Sequence, residues 1–250
     1  MRYEIEICVE ADTPLLSDSV RAAVDGGAHR IELCAGMNVG GITPGADTIQ
    51  QAMALARGSI EVMVMIRPRG GDFFYSRHEL DKMISSIGVA SDAGADGVVF
   101  GILSPPDPNN PQPSIDLNSN LELVTIAKSL GLTTTFHRAI DALPNPCEAA
   151  VLIQSLGFDR ILVSGIPWEA VTSVVERFKT LHSIFDRVKG LPGGHIELVL
   201  AGGISPGNAR SLIRELGAFG QPFSLHTYSG VRVDGQTDRQ AVSQLVSVVN

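Results

Sequence analysis

The sequence predicts a (β/α)8 TIM barrel formed as one domain, because short apolar runs alternate with longer amphipathic stretches along all 250 residues. Amphipathic segments such as 17–27, 76–94 and 205–217 predict helices between the apolar runs. Eight runs have the length of strands: residues 4–9, 29–35, 61–67, 97–103, 133–139, 160–165, 197–203 and 222–228. Strands that alternate with helices form parallel sheets, and eight such units suggest a closed barrel.

A weak internal repeat agrees with this count. Gly27, Gly94, Gly157 and Gly217 each precede a predicted strand, and the intervals between them correspond to about two βα units. We expect each glycine to end a helix in the left-handed conformation. The alternative is that Gly-Ala pairs are simply common after helices.

Composition limits the classes of function. Hydrophobic residues make up 44% of the chain, which allows one large core for residues 1–250. The net charge of −8, with both signs interspersed, argues against a nucleic-acid partner. No apolar run approaches the roughly 20 residues of a membrane span. The first ten residues, "MRYEIEICVE", favour a strand over a signal peptide, and an odd number of cysteines favours the reducing cytoplasm.

One segment departs from the alternating plan. Residues 104–120, "SPPDPNNPQPSIDLNSN", are rich in Pro and Asn and follow the fourth strand. This composition predicts an irregular surface loop. The segment is too short to be a domain, so we predict no domain boundary.

Side chains alternate along a strand, and this rule predicts which residues enter the barrel. In the first strand Ile5, Ile7 and Val9 form the set that meets the helices, so Glu6 and Cys8 point inward. The same rule assigns to the interior Glu32, Cys34, Met63, Met65, Arg67, Thr133, Thr135, His137, Ser224 and His226.

Many polar residues map to the carboxyl ends of the strands, where barrel enzymes place their active sites. They are Glu6, Cys8, Glu32, Cys34, Arg67, Arg69, Asp72, His137, Arg138, Ser164 and His226. Burying so many charges is costly, so we expect them to pair with one another or to bind a ligand.

The stretch "VMIRPRGGDFFYS", residues 64–76, favours an anion site. Arginine is the preferred donor to carboxylate and phosphate groups, so Arg67 and Arg69 are candidates to hold an anion, with Asp72 orienting one guanidinium. The alternative is that the arginines neutralise Glu6 and Glu32.

Three further residues extend this hypothetical anion site. Gly202 and Gly203, in "LAGGIS", follow the seventh strand, where barrels often bind phosphate, although they could equally form a tight turn. Arg138 is a third candidate cation at the same end of the barrel.

If the protein is an enzyme acting on a small anionic metabolite, Glu32 or His137 would serve as general acid or base, and His226 would assist. His29, His78, His182 and His195 fall on strand starts, helices or loops, and we interpret them as surface or structural residues.

Cys8 and Cys34 share inward parity on adjacent strands, and two soft thiolates could hold Cu(I). The alternative is that both fill space, because free cysteines are often buried and no CxxC motif is present. Cys147 lies at the start of the fifth helix and is interpreted as structural.

Five segments together resemble the CutC copper-homeostasis family: "RIELCAGMNVGGITP", "VMIRPRGGDFFYS", "TFHRAID", "ILVSG" and "LHTYSG". The resemblance extends from about residue 4 to residue 230. It implies a TIM barrel, copper binding, a cytosolic and in some members also nuclear location, and homo-oligomers such as dimers or tetramers. By the resemblance, the Cu(I) ligands are Cys8 and Cys34.

The chain departs from the family pattern after His226, where it continues "TYSGVRVDGQTDRQ", so no ligand contact is assigned to that loop. Three hypotheses remain from the sequence: a copper-binding homeostasis protein, an enzyme for a small anion, and a non-catalytic interaction protein. The polar barrel mouth disfavours the third, because idle buried charge is destabilising.

Overall fold

Eight parallel strands close into a barrel in the order β1-β8-β7-β6-β5-β4-β3-β2, which confirms the predicted TIM barrel. The computed structural model describes residues 3–56, 58–108, 110–168, 170, 174–190, 196–217 and 223–250. The strands are β1 Glu4–Glu10, β2 Arg30–Cys34, β3 Glu61–Met65, β4 Gly97–Phe100, β5 Thr133–Phe136, β6 Arg160–Val163, β7 Glu197–Leu200 and β8 Phe223–Thr227.

Helices surround the barrel and alternate with the strands. They are α1 Leu16–Asp25, α2 Ala46–Ala56, α3 Arg77–Asp92, α4 Leu117–Ser129, α5 Pro146–Ser155, α6 Val174–Val188, α7 Ala209–Leu216 and α8 Arg239–Val249. Among the described residues, none of these helices combines the length and apolar character that crossing a bilayer requires.

Strands β3 to β7 end two or three residues before their predicted ends, because the chain turns as soon as it leaves the sheet. His137, for example, follows β5 and precedes a 3₁₀ turn at Arg138–Ala142. These early ends place polar side chains on loops above the sheet, at the C-terminal mouth of the barrel.

The irregular loop predicted at residues 104–120 is shorter than expected. Leu103–Ser104 pairs antiparallel with Ser114–Ile115, and α4 already begins at Leu117. The side chain of Asp116 accepts a hydrogen bond from the backbone N–H of Ser119, which caps the helix. Asp116 is thus a helix-start signal within a segment whose Pro and Asn content favours a loop.

The glycine repeat holds at three of its four positions. Gly27, Gly94 and Gly157 have φ angles of 83°, 85° and 89°, as a left-handed helix end requires. Gly217 has φ −63° and lies in the right-handed region, so the prediction was wrong there.

Strand parity separates two layers of packing. Ile5, Ile7 and Val9 are buried in the large core that also includes residues of the helices. A smaller cluster fills part of the barrel interior and consists of Cys8, Cys34, Met63, Met65 and Val99. The alternation rule therefore predicted the inward side chains of β1, β2 and β3.

A network of ion pairs fills the N-terminal end of the barrel. Arg30 is 0% exposed, and its Nε donates to Glu6 at 2.5 Å. Its other nitrogens donate to Glu4 at 3.1 Å, to Glu197 at 3.0 Å and to Ser224 at 2.9 Å. Arg160 continues the network to Glu197 at 2.9 Å. The pocket described below lies at the opposite, C-terminal end.

We expect Arg30→Met to reduce the free energy of unfolding by about 3–5 kcal/mol, because it leaves the buried Glu6 without its main counter-charge. Chemical denaturation measures this loss. The control is Arg187→Met, which removes an exposed ion pair to Glu148 and should cost about 0–1 kcal/mol. Equal losses in the two variants would contradict a structural role for the Arg30 network.

Candidate metal and ligand site at the barrel mouth

A cavity of about 270 Å³ opens at the C-terminal end of the strands. One side, which we call the sulfur wall, consists of Cys8, Cys34, Met37, Met65 and the neighbouring Glu32 and His226. The other side, the cationic wall, consists of Arg67, Phe73, His137, Arg138 and Trp168, with Gly202 and Gly203 beside it. Most of the residues that the sequence singles out therefore line one cavity.

The sulfur wall is formed by diagonal neighbours on β1 and β2. Cys8 is in register with Glu32, and Glu10 is in register with Cys34. The two sulfurs and a carboxylate oxygen of Glu32 lie within 4.8 Å of one another, and all three residues are buried. The Cys34 thiol donates to Glu32 Oε2 at 3.4 Å. A third sulfur, Sδ of Met37, lies 3.8 Å from the Cys8 sulfur.

His226 connects the sulfur wall to the ion-pair network below it. Its Nδ1 lies 2.6 Å from Glu6 Oε1, and its Nε2 lies 3.8 Å from Glu32 Oε2. Burial would raise the pKa of Glu6, but Arg30 and His226 outweigh it and lower that pKa to about 2. Burial opposes the charge on His226, yet Glu32, Cys8 and Glu6 hold its pKa well above the usual value. The ring is therefore an imidazolium that donates to Glu6.

The two thiols have different proton affinities. The neighbouring Cys34 side chain lowers the pKa of Cys8 to about 6, against the effect of burial and with help from His226. The neighbouring Cys8 side chain, together with burial, raises the pKa of Cys34 well above its usual value. Burial also raises the pKa of Glu32 to about 8, although the charge on His226 opposes it. At neutral pH the pair holds one thiolate and one thiol.

Arg67 is buried on the cationic wall, and backbone carbonyls surround its guanidinium. One terminal nitrogen donates to the carbonyls of Val39, Gly40 and Gly41 at 3.1, 3.2 and 3.0 Å, and the other donates to Gly71 at 2.7 Å. Both Gly40 and Gly41 have positive φ, at 84° and 85°, which non-glycine residues rarely adopt.

Two expectations for Arg67 therefore need correction. No carboxylate oxygen lies within 4.0 Å of it in the described part of the chain, so it does not neutralise Glu6 or Glu32. Its two terminal nitrogens also donate to carbonyls already, so the end of the fork does not bind an anion as expected, and only Nε is without a hydrogen-bond partner among the described residues. It contributes its charge to the cavity and holds the loop that carries Met37.

Arg69 and Asp72 lie outside the cavity lining. Asp72 does contact the Arg69 guanidinium, at 2.8 Å, but Arg69 also donates to Glu79 at 2.6 Å and to the Phe74 carbonyl at 2.6 Å. Glu79 belongs to the capping box of α3 with Ser76. The carboxylate at the start of α3 attracts Arg69 away from the mouth, so these two residues anchor a loop there.

His137 and Arg138 follow β5 and do face the cavity. His137 Nδ1 accepts a hydrogen bond from the Ala139 N–H at 3.3 Å. Burial, with the nearby charges of Arg67 and Arg138, lowers the pKa of His137 to about 3. Its ring is therefore neutral with the proton on Nε2, which suits a hydrogen-bond donor better than a general base.

Arg138 is held by groups that follow β5 and β6. It donates to Asp141 at 2.8 Å and to the Ser164 hydroxyl at 3.1 Å, and its guanidinium lies 5.1 Å from the centre of the Trp168 ring.

Two of the residues that the sequence analysis interprets as structural lie away from the cavity lining. The ring of His29 accepts a hydrogen bond from the backbone N–H of Ile5, and Cys147 lies in the first turn of α5. His195 lies outside the described residues.

Sequence reasoning missed Met37, Trp168 and Arg177. Met37 lies in a 3₁₀ turn at Met37–Val39 between glycines, and the Gly-rich "GMNVGG" was the available signal. Arg177 reaches back from α6 to donate to the carbonyls of Ser164 at 3.0 Å and Ala201 at 2.5 Å. No strand-parity rule can find a residue that approaches the mouth from a helix.

We expect Arg67→Lys to destabilise the protein by about 2–4 kcal/mol, because one ammonium cannot replace hydrogen bonds from two nitrogens to four carbonyls. Chemical denaturation measures the loss, and Arg187→Lys serves as the exposed control. A loss no larger than that of the control would show that the carbonyl contacts contribute little.

The pKa difference between the thiols predicts a pH profile for alkylation. Because a thiolate reacts and a thiol does not, the alkylation rate of Cys8 should rise with pH around a midpoint of about 6. Cys34→Ala removes the neighbouring thiol that lowers this pKa, so the midpoint should rise and the rate at pH 7 should fall by about tenfold or more. Mass spectrometry of iodoacetamide-treated protein measures the rate at each cysteine.

The internal reference for this experiment is Cys147, which is remote from the pair and should react equally in both proteins. An unchanged Cys8 midpoint in Cys34→Ala would contradict the role of Cys34 in lowering the pKa of Cys8.

Comparisons with known proteins agree with the resemblance in sequence. The model of the CutC family matches residues 3–224. A Vibrio cholerae protein named family protein CutC is 36% identical over 211 residues, which cover 82% of this chain and 78% of the relative. The mouse "Copper homeostasis protein cutC homolog" is 37% identical over 219 residues, which cover 86% of this chain and 71% of the relative.

Solved structures give the same result for the fold. The crystal structure of CutC from Streptococcus agalactiae superposes with a TM-score of 0.72 at 29% identity, covering 90% of this chain and 99% of that one. Phosphoribosyl anthranilate isomerase from Thermococcus kodakaraensis matches with a TM-score of 0.60 at 18% identity, covering 99% of both chains, and shares the fold alone. With a family model matched over most of its length and relatives above 30% identity, this chain belongs to the CutC family.

Proposed function

We propose that this protein binds Cu(I) through Cys8 and Cys34 as part of copper homeostasis. The observation that carries the proposal is the proximity of two buried thiols, which lie within 4.8 Å of each other and of a Glu32 oxygen. Copper homeostasis is the function named for the mouse and human relatives, which are 37% and 36% identical to this chain.

The donor atoms suit a soft ion. Thiolate and thioether sulfurs select Cu(I), and the Met37 sulfur lies 3.8 Å from the Cys8 sulfur. Glu6, Glu32 and His226 form a second group of potential ligands, but it consists of harder oxygen and nitrogen donors. His226 is also protonated and occupied by Glu6, so the sulfur atoms are the better site.

The protonation states of the two thiols and the charge on His226 support reversible binding of Cu(I). Cys8 already carries the thiolate near neutral pH, whereas Cys34 must lose its proton to become a second thiolate ligand. The imidazolium of His226 supplies a positive charge beside the pair and offsets the negative charge of two thiolates. In this proposal copper is cargo, and the protein supplies a buried, reduced sulfur site for it.

The same geometry gives less support to acid–base catalysis. A histidine whose pKa is about 3, as at His137, is a weak general base at neutral pH. Glu32, with a pKa of about 8, has the proton affinity of an acid–base group, but it accepts a hydrogen bond from Cys34 within the sulfur cluster. We therefore rank copper binding above the enzyme hypothesis.

Titration with Cu(I) under reducing conditions, against a competing chelator, tests the proposal. We expect saturation near one ion per chain. Cys8→Ser and Cys34→Ser should each weaken binding by more than the roughly 10–100-fold that loss of a supporting residue causes. Met37→Leu, which keeps the volume and removes the sulfur, should have a smaller effect.

The matched control is Cys147→Ser, which removes a cysteine outside the cavity and should leave the affinity unchanged. If the variant lacking both Cys8 and Cys34 binds copper as tightly as the parent protein, the copper site is elsewhere.

A further inference from the structure

Three arginines from different parts of the chain surround one side of the cavity. Arg67 follows β3, Arg138 follows β5, and Arg177 reaches in from α6 to the ends of β6 and β7. Two of them, Arg67 and Arg138, line the cavity itself. Arg177 lies directly behind Gly202: the Nη2 atom of Arg177 is 3.5 Å from the position that a Cβ atom on residue 202 would take.

This side of the cavity has more positive than negative charge. Within the described residues, the one carboxylate within 4.0 Å of these arginines is Asp141, which pairs with Arg138 at 2.8 Å. Arg67 and Arg177 donate to backbone carbonyls, which carry no net charge, and the buried Nε of Arg67 has no hydrogen-bond partner among the described residues. Buried charge without a counter-charge is costly, so the geometry leaves room for an anion.

A buried hydrogen-bond donor on His137 also indicates an anion in this cavity. His137 is 3% exposed, lines the cavity, and has a ring Nε2 without a hydrogen-bond partner among the described residues. The Ala139 N–H occupies Nδ1, so the proton is on Nε2. A buried N–H without a partner is rare in native proteins and suggests that a ligand or water completes it.

We propose that the cavity binds a small organic anion, whose carboxylate or phosphate group lies against the cationic wall. The Nε2–H of His137 and the partly exposed Arg138 guanidinium contact the anionic group, while Arg67 in the cavity lining and Arg177 behind Gly202 supply further positive charge. The Phe73 and Trp168 rings, 5.1 Å apart, offer an apolar surface to the rest of the ligand.

The size of the cavity limits the ligand. A volume of about 270 Å³ lies just below the roughly 300–1,000 Å³ of typical ligand pockets. It therefore suits a small metabolite. This inference is independent of the proposed function, because it rests on residues outside the sulfur wall and is tested in the absence of copper.

Calorimetric titration of copper-free protein tests the proposal. The probes are inorganic phosphate for the phosphate arm and glycolate for the carboxylate arm, each compared with sodium chloride at matched ionic strength. We expect saturable binding of at least one probe, weakened about tenfold or more in Arg138→Gln, because a charged bidentate donor becomes a neutral one. The arm that binds more tightly identifies the anionic group.

The matched control is Arg187→Gln, an exposed arginine on α6 that pairs with Glu148 and should bind as the parent protein does. If neither probe binds more tightly than chloride, or if Arg138→Gln and the parent bind equally, the proposal is wrong.

A second measurement needs no arginine variant and remains decisive if Arg138→Gln does not fold. In wild-type protein with isotope-labelled histidine, the nuclear magnetic resonance signal of the His137 Nε2–H should shift as the binding probe is added. A signal that stays in place at saturation of the calorimetric binding would show that the anion lies elsewhere, and would also overturn the proposal.

Discussion

Arg30 lies at the bottom of the barrel, and its contact with Glu6 determines the chemistry of the side chains above it. Because Arg30 keeps Glu6 ionised, Glu6 can hold His226 as an imidazolium. That imidazolium lies beside the thiol pair and helps to lower the pKa of Cys8. A buried arginine at one end of the barrel thus supports a thiolate at the other end, through two intervening side chains.

The cavity has two chemically different walls, and the Arg30 network reaches only one of them. Three sulfur atoms lie at the ends of β1 and β2, where the Arg30 network ends. Arginines lie across the cavity, at the ends of β3 and β5, and they are fixed by carbonyls and by Asp141. The walls meet at the loop that carries Met37, which Arg67 holds through the carbonyls of Val39, Gly40 and Gly41, so one cavity presents sulfur atoms on one side and positive charge on the other.

Strand periodicity predicted much of this arrangement. Eight apolar runs predict the barrel, and parity predicts that Cys8, Cys34 and His226 point into it, as the structure shows. These predictions succeed because the pleat fixes the direction of every second side chain. The exact strand ends were harder to predict, because the chain leaves the sheet where loop contacts become more favourable than the ladder.

The partners of the arginines could not be predicted in this way. Arg67 donates to carbonyls that Gly40 and Gly41 orient through positive φ angles, and Arg69 pairs with the carboxylate of Glu79 in the first turn of α3. Both outcomes depend on loop geometry, which leaves no period in the sequence. Arg67 illustrates the consequence: its position after a core strand favours a ligand contact in the sequence, whereas in the structure its terminal nitrogens fix the loop that carries Met37.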